Sequence, residues 1–131
     1  MMMHAKPGLK TCYVSLGSNL PDGYGYVMRA MEWLRNVMVV ERCSDIYTTP
    51  SVSLDDDSTY FNAVTRCITD MTASQLELML KQYESESGRR RDADCHCVVI
   101  DLDLVVFDDV VLRPRDAARD YFRIGLSQLG N

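Results

Sequence analysis

The sequence predicts an α+β domain in which two helices pack on one face of an antiparallel sheet, with elements in the order βαββαβ. Three observations predict this fold. Strand-like runs of β-branched residues alternate with two stretches of helical periodicity, and turn residues separate them. The chain has 131 residues, of which 47% are apolar, enough for one core and too few for two. We therefore expect a single domain over residues 1–131 with a short C-terminal extension.

The first half of the chain supplies two strands and one helix. Thr11–Leu16 has strand composition, and the turn residues Gly17-Ser18-Asn19 end it abruptly. Apolar residues then recur at helical spacing over Asp22–Met38. Val39–Thr48 returns to strand composition, and Thr49-Pro50 closes that strand because proline cannot donate to a sheet ladder.

The second half repeats the pattern. Tyr60–Thr69 alternates like a strand, and Thr72 followed by Gln75 forms a capping box that predicts a helix start. Gly88 predicts the end of that helix. Val98–Phe107 is an apolar run of strand length, typical of a buried central strand.

Beyond Phe107 the pattern weakens. Val110–Leu112 suits a short strand, and Arg115–Leu129 suits a final helix. The complete order is that of a ferredoxin-like plait, a fold that serves enzymes, regulatory modules and RNA-binding proteins alike.

Two aspartates interrupt the predicted central strand. Asp101 and Asp103 share one strand face, with Cα atoms about 6.5 Å apart, while Leu102 and Leu104 point to the other face. Close carboxylates on an apolar strand repel each other, so they predict a bound cation or a raised pKa, and Mg²⁺ is the simplest cation. The alternative is a strand face open to water.

Charge and composition exclude several classes of protein. The net charge of −5 argues against nucleic-acid binding, which needs a basic surface. No apolar run approaches the length needed to span a bilayer, and Met1–Lys10 lacks a signal-peptide pattern, so the sequence predicts a cytoplasmic protein. Arg89-Arg90-Arg91 follows a predicted helix, where it is either a solvated helix end or a local phosphate site.

The five cysteines are odd in number and lie mostly in predicted strands, which indicates reduced, buried thiols. Cys95-His96-Cys97 is the exception. This tripeptide supplies only part of a tetrahedral zinc site, and no second cysteine or histidine pair completes it.

Five motifs, taken in order, resemble the hydroxymethyl-dihydropterin pyrophosphokinase family. They are Tyr13-Val14-Ser15-Leu16-Gly17-Ser18-Asn19-Leu20, Tyr47-Thr48-Thr49-Pro50, Tyr60-Phe61-Asn62-Ala63-Val64, Glu84 with Gly88-Arg89-Arg90-Arg91, and Asp101-Leu102-Asp103. The resemblance covers about Thr11 to Phe107. It implies a ferredoxin-like enzyme that moves pyrophosphate from ATP to a pterin hydroxymethyl group with Mg²⁺.

The resemblance also implies roles for single residues. Asp101 and Asp103 are expected to hold two Mg²⁺ ions that bridge the ATP phosphates. Asn62 is expected to bond the pterin edge, an interaction that suits its paired donor and acceptor, although an exposed amide is equally compatible with the sequence. The other residues implied to contact the pterin are Tyr60, Thr49, Pro50, Val52 and Phe122. Those implied to contact the nucleotide and its phosphates are Glu84, Arg89, Arg91 and Arg115. Arg89 and Arg91 are also implied to be catalytic, together with Asp101 and Asp103.

The chain departs from the family pattern at two places. Asp94–Val98 stands where the family carries a tryptophan and an arginine. The segment after Pro114 lacks the family's histidine and is compressed, so either Tyr121 or Phe122 can supply the second stacking ring. Simple packing of this aromatic in the core is equally compatible with the sequence. These departures leave a second hypothesis open, a relative with impaired catalysis that binds nucleotide or pterin as a regulatory or scaffold module. The expected partners are pterin and ATP, and a monomer is slightly favoured.

Overall fold

The computed structural model describes residues 8–53, 56–88 and 97–130, which form one open antiparallel sheet with helices on both faces. The strands are β1 (Lys10–Ser18), β2 (Val39–Cys43), β3 (Tyr47–Pro50), β4 (Thr59–Thr69), β5 (Asp101–Phe107) and β6 (Val110–Val111). The helices are α1 (Gly23–Val37), α2 (Ala73–Glu86), α3 (Pro114–Ala117) and α4 (Asp120–Gln128). The strand order is β2-β4-β1-β5-β6, and β3 pairs with β4.

This topology confirms the α+β plait, and most predicted elements are present. The predicted capping box forms, because the Gln75 backbone N–H donates to Thr72 Oγ1 and the Thr72 N–H donates to Gln75 Oε1. Gly88 follows α2 with a positive φ of 89°, a conformation that favours glycine at a helix end.

Four boundaries differ from the sequence predictions. β1 continues through Gly17 and Ser18, predicted as turn residues, because they pair with Asn62 and Phe61 of β4. Val39–Thr48 is two strands, because the Ser44 side chain accepts the hydrogen bond of the Val64 N–H at 2.9 Å and interrupts the ladder. Val98 also lies outside the sheet, since the Asn19 side chain accepts its N–H at 2.7 Å, and β5 therefore begins only at Asp101. The predicted C-terminal helix is split into α3 and α4 by the extended backbone of Arg119.

The main core lies between the sheet and the two long helices. Val27, Ala30 and Leu34 of α1 and Leu76 and Leu80 of α2 are buried against one sheet face. The prediction of helices on one face is thus confirmed for α1 and α2. The C-terminal α4 covers part of the opposite face, where Phe122 and Leu129 form a second cluster with Val64 and Val105.

The thiols match the expectation only in part. Cys12 and Cys67 are buried free cysteines, whereas Cys43 is free but exposed. Cys97, which belongs to the tripeptide set apart from that expectation, is disulfide-bonded. Cys95 and His96, which complete the tripeptide considered for zinc, lie outside the described residues. None of the described helices has the length and apolar character needed to cross a membrane.

Gly125 allows α4 to approach the sheet closely, and we expect Gly125→Ala to loosen this contact. A Cβ at this position would lie 2.5 Å from Val64 Cγ2 and 2.6 Å from the Tyr47 hydroxyl oxygen. Such overpacking typically costs about 1–3 kcal/mol of unfolding free energy. Urea denaturation followed by circular dichroism measures the loss.

Gly25→Ala is the matched control, because it makes the same change in α1. Its Cβ would meet only the flexible end of Arg29, at 3.6 Å. We expect this variant to be neutral or slightly stabilised, since alanine favours helices by up to about 1 kcal/mol over glycine. Equal stabilities of the two variants would contradict the close approach of α4.

Candidate active site

A cavity of about 460 Å³ lies on the sheet face opposite α1 and α2, beside α4. Strands β1, β3, β4 and β5 supply its floor, and the segment after β3 and the α3–α4 region supply its walls. The lining residues are Ser15, Leu16, Gly17, Thr49, Pro50, Ser51, Val52, Ser53, Asp56, Tyr60, Asn62, Cys97, Val98, Asp101, Asp103, Asp116 and Tyr121.

Three residues paired across neighbouring strands bring an amide and a carboxylate to this cavity. Gly17 of β1 pairs with Asn62 of β4 on one side and with Asp101 of β5 on the other. Two strand spacings separate Asn62 from Asp101, so their Cα atoms lie about 10 Å apart. Gly17 has no side chain, and the space between the two polar groups therefore stays open.

The orientation of the Asn62 amide is fixed by its hydrogen bonds. Its Nδ2 donates to Thr49 Oγ1 at 2.7 Å and to the backbone carbonyl of Tyr60 at 3.2 Å. A carbonyl oxygen can only accept a hydrogen bond, so the atom facing it must be the nitrogen. The Oδ1 oxygen lies 3.5 Å from the position that a Gly17 Cβ would take. The amide therefore presents an acceptor at the floor of the cavity.

The predicted pterin contacts near Asn62 lie at the same cavity. Thr49, Pro50, Val52 and Tyr60 all line it. The pKa of the Tyr60 hydroxyl is raised by burial first and then by Asp56 and Asp101, so this ring stays neutral at physiological pH. A neutral ring and an aliphatic wall next to a fixed amide form a surface suited to a flat polar heterocycle.

Asp101 and Asp103 both line the cavity, on the β5 side. The pKa of each carboxyl is raised to about 6. Desolvation by the surrounding walls is the main cause for both, although the Asp101 residue as a whole is exposed toward the cavity. The second cause is a neighbouring carboxylate, that of Glu84 for Asp101 and that of Asp101 for Asp103. The pair therefore favours a proton or a cation.

The described residues contain no group of three or more histidine, cysteine, aspartate or glutamate side chains placed to hold a metal ion. Asp101 and Asp103 can supply carboxylate ligands only as a pair. Magnesium in nucleotide-using enzymes is commonly held by one or two carboxylates together with substrate phosphates and water. The donor set thus fits magnesium carried by a nucleotide better than a site built from protein ligands alone.

Glu84 lies under this pair rather than in the cavity wall. Its side chain is buried, and its Oε2 accepts the backbone N–H of Leu102 at 2.6 Å. Lys81 Nζ lies 3.3 Å from the same oxygen. Glu84 therefore ties α2 to the outer edge of β5 and fixes the strand segment that carries Asp101 and Asp103.

Two cations near Asp103 were missed by the sequence reasoning. Arg113 Nη2 lies 3.6 Å and Lys81 Nζ 3.7 Å from Asp103 Oδ1. Lys81 follows the capping box by two helical turns, on the side of α2 that faces β5. Arg113 precedes Pro114 at the start of α3, and only the β5–β6 hairpin brings it back to β5.

The C-terminal aromatic predicted to stack on the pterin is corrected by the structure. Phe122 is only 1% exposed and packs with Val64 and Val105, so it does not line the cavity. Tyr121 lines the cavity instead, and its hydroxyl donates to Asp116. Tyr121 was the alternative that the sequence left open.

Of the three arginines predicted to contact the phosphates, the structure describes only Arg115. Arg115 is exposed on α3 and is not among the cavity-lining residues. Arg89 and Arg91 lie outside the described residues, so their predicted roles stay predictions.

The raised pKa values of the aspartates predict a specific pH dependence. The Asp103 pKa is about 6 in the folded chain against an ordinary 3.8. Its protonation therefore favours folding, and this contribution is lost as the pH rises from about 4 through about 6. Asp103→Asn is permanently neutral, so without divalent cations it should gain stability over the parent protein between about pH 4 and pH 7.

Thermal unfolding in a chelating buffer across this pH range measures the difference. Asp109→Asn, in the exposed turn after β5, makes the same charge change away from the cavity. A difference between Asp103→Asn and the parent that does not change with pH would contradict the raised pKa.

An antiparallel plait with a fixed amide and paired aspartates in one cavity defines a class of protein, one whose site suits a flat polar heterocycle beside a cation-binding carboxylate pair. Comparison with known proteins identifies the family within this class. The model of the family 7,8-dihydro-6-hydroxymethylpterin-pyrophosphokinase matches residues 13–131, and the chain belongs to this family.

Several named relatives are similar over most of the chain. The 2-amino-4-hydroxy-6-hydroxymethyldihydropteridine pyrophosphokinase of Aquifex aeolicus is 28% identical over 82% of this chain and 67% of its own length. The Bacillus subtilis protein of the same name is 30% identical over 73% of this chain and 59% of its own length. A folic acid synthesis protein, FOL1 of Dictyostelium discoideum, is 21% identical over 86% of this chain and 17% of its own length. The matches thus span about two thirds or less of each relative.

Proposed function

We propose that this chain transfers pyrophosphate from ATP to the hydroxymethyl group of 6-hydroxymethyl-7,8-dihydropterin, a step in the synthesis of folate precursors. The observation that carries this proposal is the pairing of Asn62, Gly17 and Asp101 across three strands, which sets an amide and a carboxylate on opposite sides of one open floor. Family membership and the names of the relatives support the same reaction.

The pterin side of the proposal assigns Asn62 to the heterocycle edge. Its Oδ1 would accept from ring N–H or amino groups, while Thr49 and the Tyr60 carbonyl hold the amide in place. Tyr60 would stack on the ring, and Pro50 and Val52 would exclude water from its apolar rim.

The nucleotide side assigns Asp101 and Asp103 to magnesium, with two ions expected. Bound magnesium supplies charge neutralisation along the triphosphate, which favours attack at the β-phosphorus. Glu84 positions β5 beneath the two aspartates through the Leu102 N–H. Arg89, Arg91 and Arg115 are proposed to contact the nucleotide and its phosphates, as the family resemblance implies.

In the proposed reaction the pterin hydroxyl oxygen forms a bond to the β-phosphorus of ATP. The bond between that phosphorus and the oxygen bridging it to the α-phosphate breaks, and AMP leaves with this oxygen. The hydroxyl proton passes to solvent. Holding both reactants in line across Gly17 is the main contribution of the protein, because such positioning removes much of the entropic barrier.

The test is the release of AMP by purified protein supplied with ATP, Mg²⁺ and the hydroxymethyl-dihydropterin. We expect one AMP for each pterin pyrophosphate formed, and none when the pterin is omitted. Release of ADP instead would indicate transfer of a single phosphoryl group and contradict the proposal. Binding of both ligands without AMP release would favour the non-catalytic relative.

A further inference from the structure

Arg113 lies beside the cavity carboxylates, and no side chain or backbone group of the described residues fixes its guanidinium by a hydrogen bond. Nη2 is 3.6 Å from Asp103 Oδ1, and Nη1 is 3.9 Å from Asp116 Oδ2. Both distances exceed those of hydrogen bonds. The Nε atom is buried and has no hydrogen-bond partner among the described residues. Arg113 is therefore held near the site by charge and by its backbone, whose N–H donates to the Val105 carbonyl.

Lys81, the other cation at Asp103, is engaged differently. Its Nζ lies 3.3 Å and 3.4 Å from the two carboxylate oxygens of the buried Glu84, within hydrogen-bond distance. It lies farther from Asp103, at 3.7 Å. The attachment to Glu84 gives Lys81 a structural partner, whereas Arg113 has no comparable one among the described residues.

A buried donor without an acceptor is costly, and native structures rarely keep one without a reason. A guanidinium presents five donors in a planar fork, which matches the oxygen atoms of phosphate. Both partners of Arg113, Asp103 and Asp116, line the cavity. A divalent cation at Asp101 and Asp103 would also compete with Arg113 for Asp103, and would leave the guanidinium available to another anion.

We propose that Arg113 binds the β- and γ-phosphates of the nucleotide. This inference rests on the proposed function, because it assigns a phosphate contact to a cation beside Asp103 and Asp116, two carboxylates that line the proposed site. Arg113 comes from the segment between β6 and α3, so it adds a contact from the C-terminal region to those expected near the end of α2.

Isothermal calorimetry of the purified full chain tests this role. The probes are the Mg²⁺ complex of a non-hydrolysable α,β-methylene ATP analogue, AMP, and the pterin. For Arg113→Ala we expect the affinity for the analogue to fall roughly tenfold to a hundredfold, because hydrogen bonds between charged groups typically contribute this much to binding. The affinities for AMP and the pterin should stay unchanged. Arg113→Lys keeps the charge and loses the fork, so its loss should be smaller.

Arg123→Ala is the matched control, because it removes the same charge from an exposed position on α4 that forms no ion pair with Asp103 or Asp116 in the described part of the chain. It should leave all three affinities unchanged. If Arg113 only supported α3, its loss would weaken AMP, analogue and pterin alike, and that result would overturn the inference. Analogue affinity within twofold of the parent would also overturn it while the proposed function stands. A parent protein that binds neither the analogue nor the pterin would overturn both.

Discussion

Asp101→Asn is expected to abolish AMP release while the protein stays folded. The variant keeps the shape of the side chain but removes the charge that holds the cation at the triphosphate. Several kcal/mol of transition-state stabilisation depend on such an ion, so the rate should fall by roughly a thousandfold or more. Steady-state AMP release at saturating ATP, Mg²⁺ and pterin measures the loss.

Asp109→Asn is the control for this variant. Asp109 lies in the exposed turn after β5 with a φ of 67°, a conformation that asparagine tolerates well. It should retain full activity. An Asp101→Asn protein that keeps more than about a tenth of the parent rate would contradict magnesium binding at this residue.

Asn62→Leu is expected to remove pterin binding while nucleotide binding persists. Leucine has a similar volume but offers no acceptor to the heterocycle, and it leaves the donors of a bound ring unpaired. Each unpaired buried group costs about 1–3 kcal/mol, so two such groups predict a loss of affinity of roughly a hundredfold. Calorimetry with the pterin and, separately, with the Mg²⁺–ATP analogue measures the two effects.

Asn36→Leu makes the same change at an exposed position of α1 and should leave both affinities unchanged. Near-ultraviolet circular dichroism of Asn62→Leu checks that Tyr60 and the other aromatic side chains keep their surroundings after the amide is lost. Equal losses of pterin and analogue affinity would show a general disturbance of the cavity rather than a specific pterin contact.

The sequence predicts the parts of this site that depend on strand periodicity. Asp101 and Asp103 share a face because strand side chains alternate, and Leu102 and Leu104 are buried on the other face as expected. The motif around Asn62 predicts this residue as part of the site, but the sequence does not predict its distance from Asp101. That distance follows from the register of three strands, which depends on contacts between residues far apart in the sequence.

The misplaced predictions have local causes that no periodicity reveals. The Ser44 side chain replaces a ladder carbonyl and divides one predicted strand into two. The extended backbone at Arg119 turns Tyr121 to the cavity and Phe122 to the core, and the two residues are too alike in the sequence to distinguish. The position of Arg113 beside Asp103 was not predicted, because the β5–β6 hairpin brings the two residues together. The sequence indicates this hairpin but not its geometry.

The central claim is that a cation at the aspartate pair and a ligand at Asn62 occupy one cavity, on opposite sides of Gly17. Paramagnetic broadening by Mn²⁺ with the ATP analogue tests it most directly, by nuclear magnetic resonance of isotope-labelled protein. The signals of the Asn62 side-chain amide and the Gly17 backbone should broaden strongly, because both lie about 5–10 Å from Asp101 across the sheet. The broadening should vanish in Asp101→Asn. Sharp Asn62 and Gly17 signals beside broadened signals elsewhere in the protein would contradict the account.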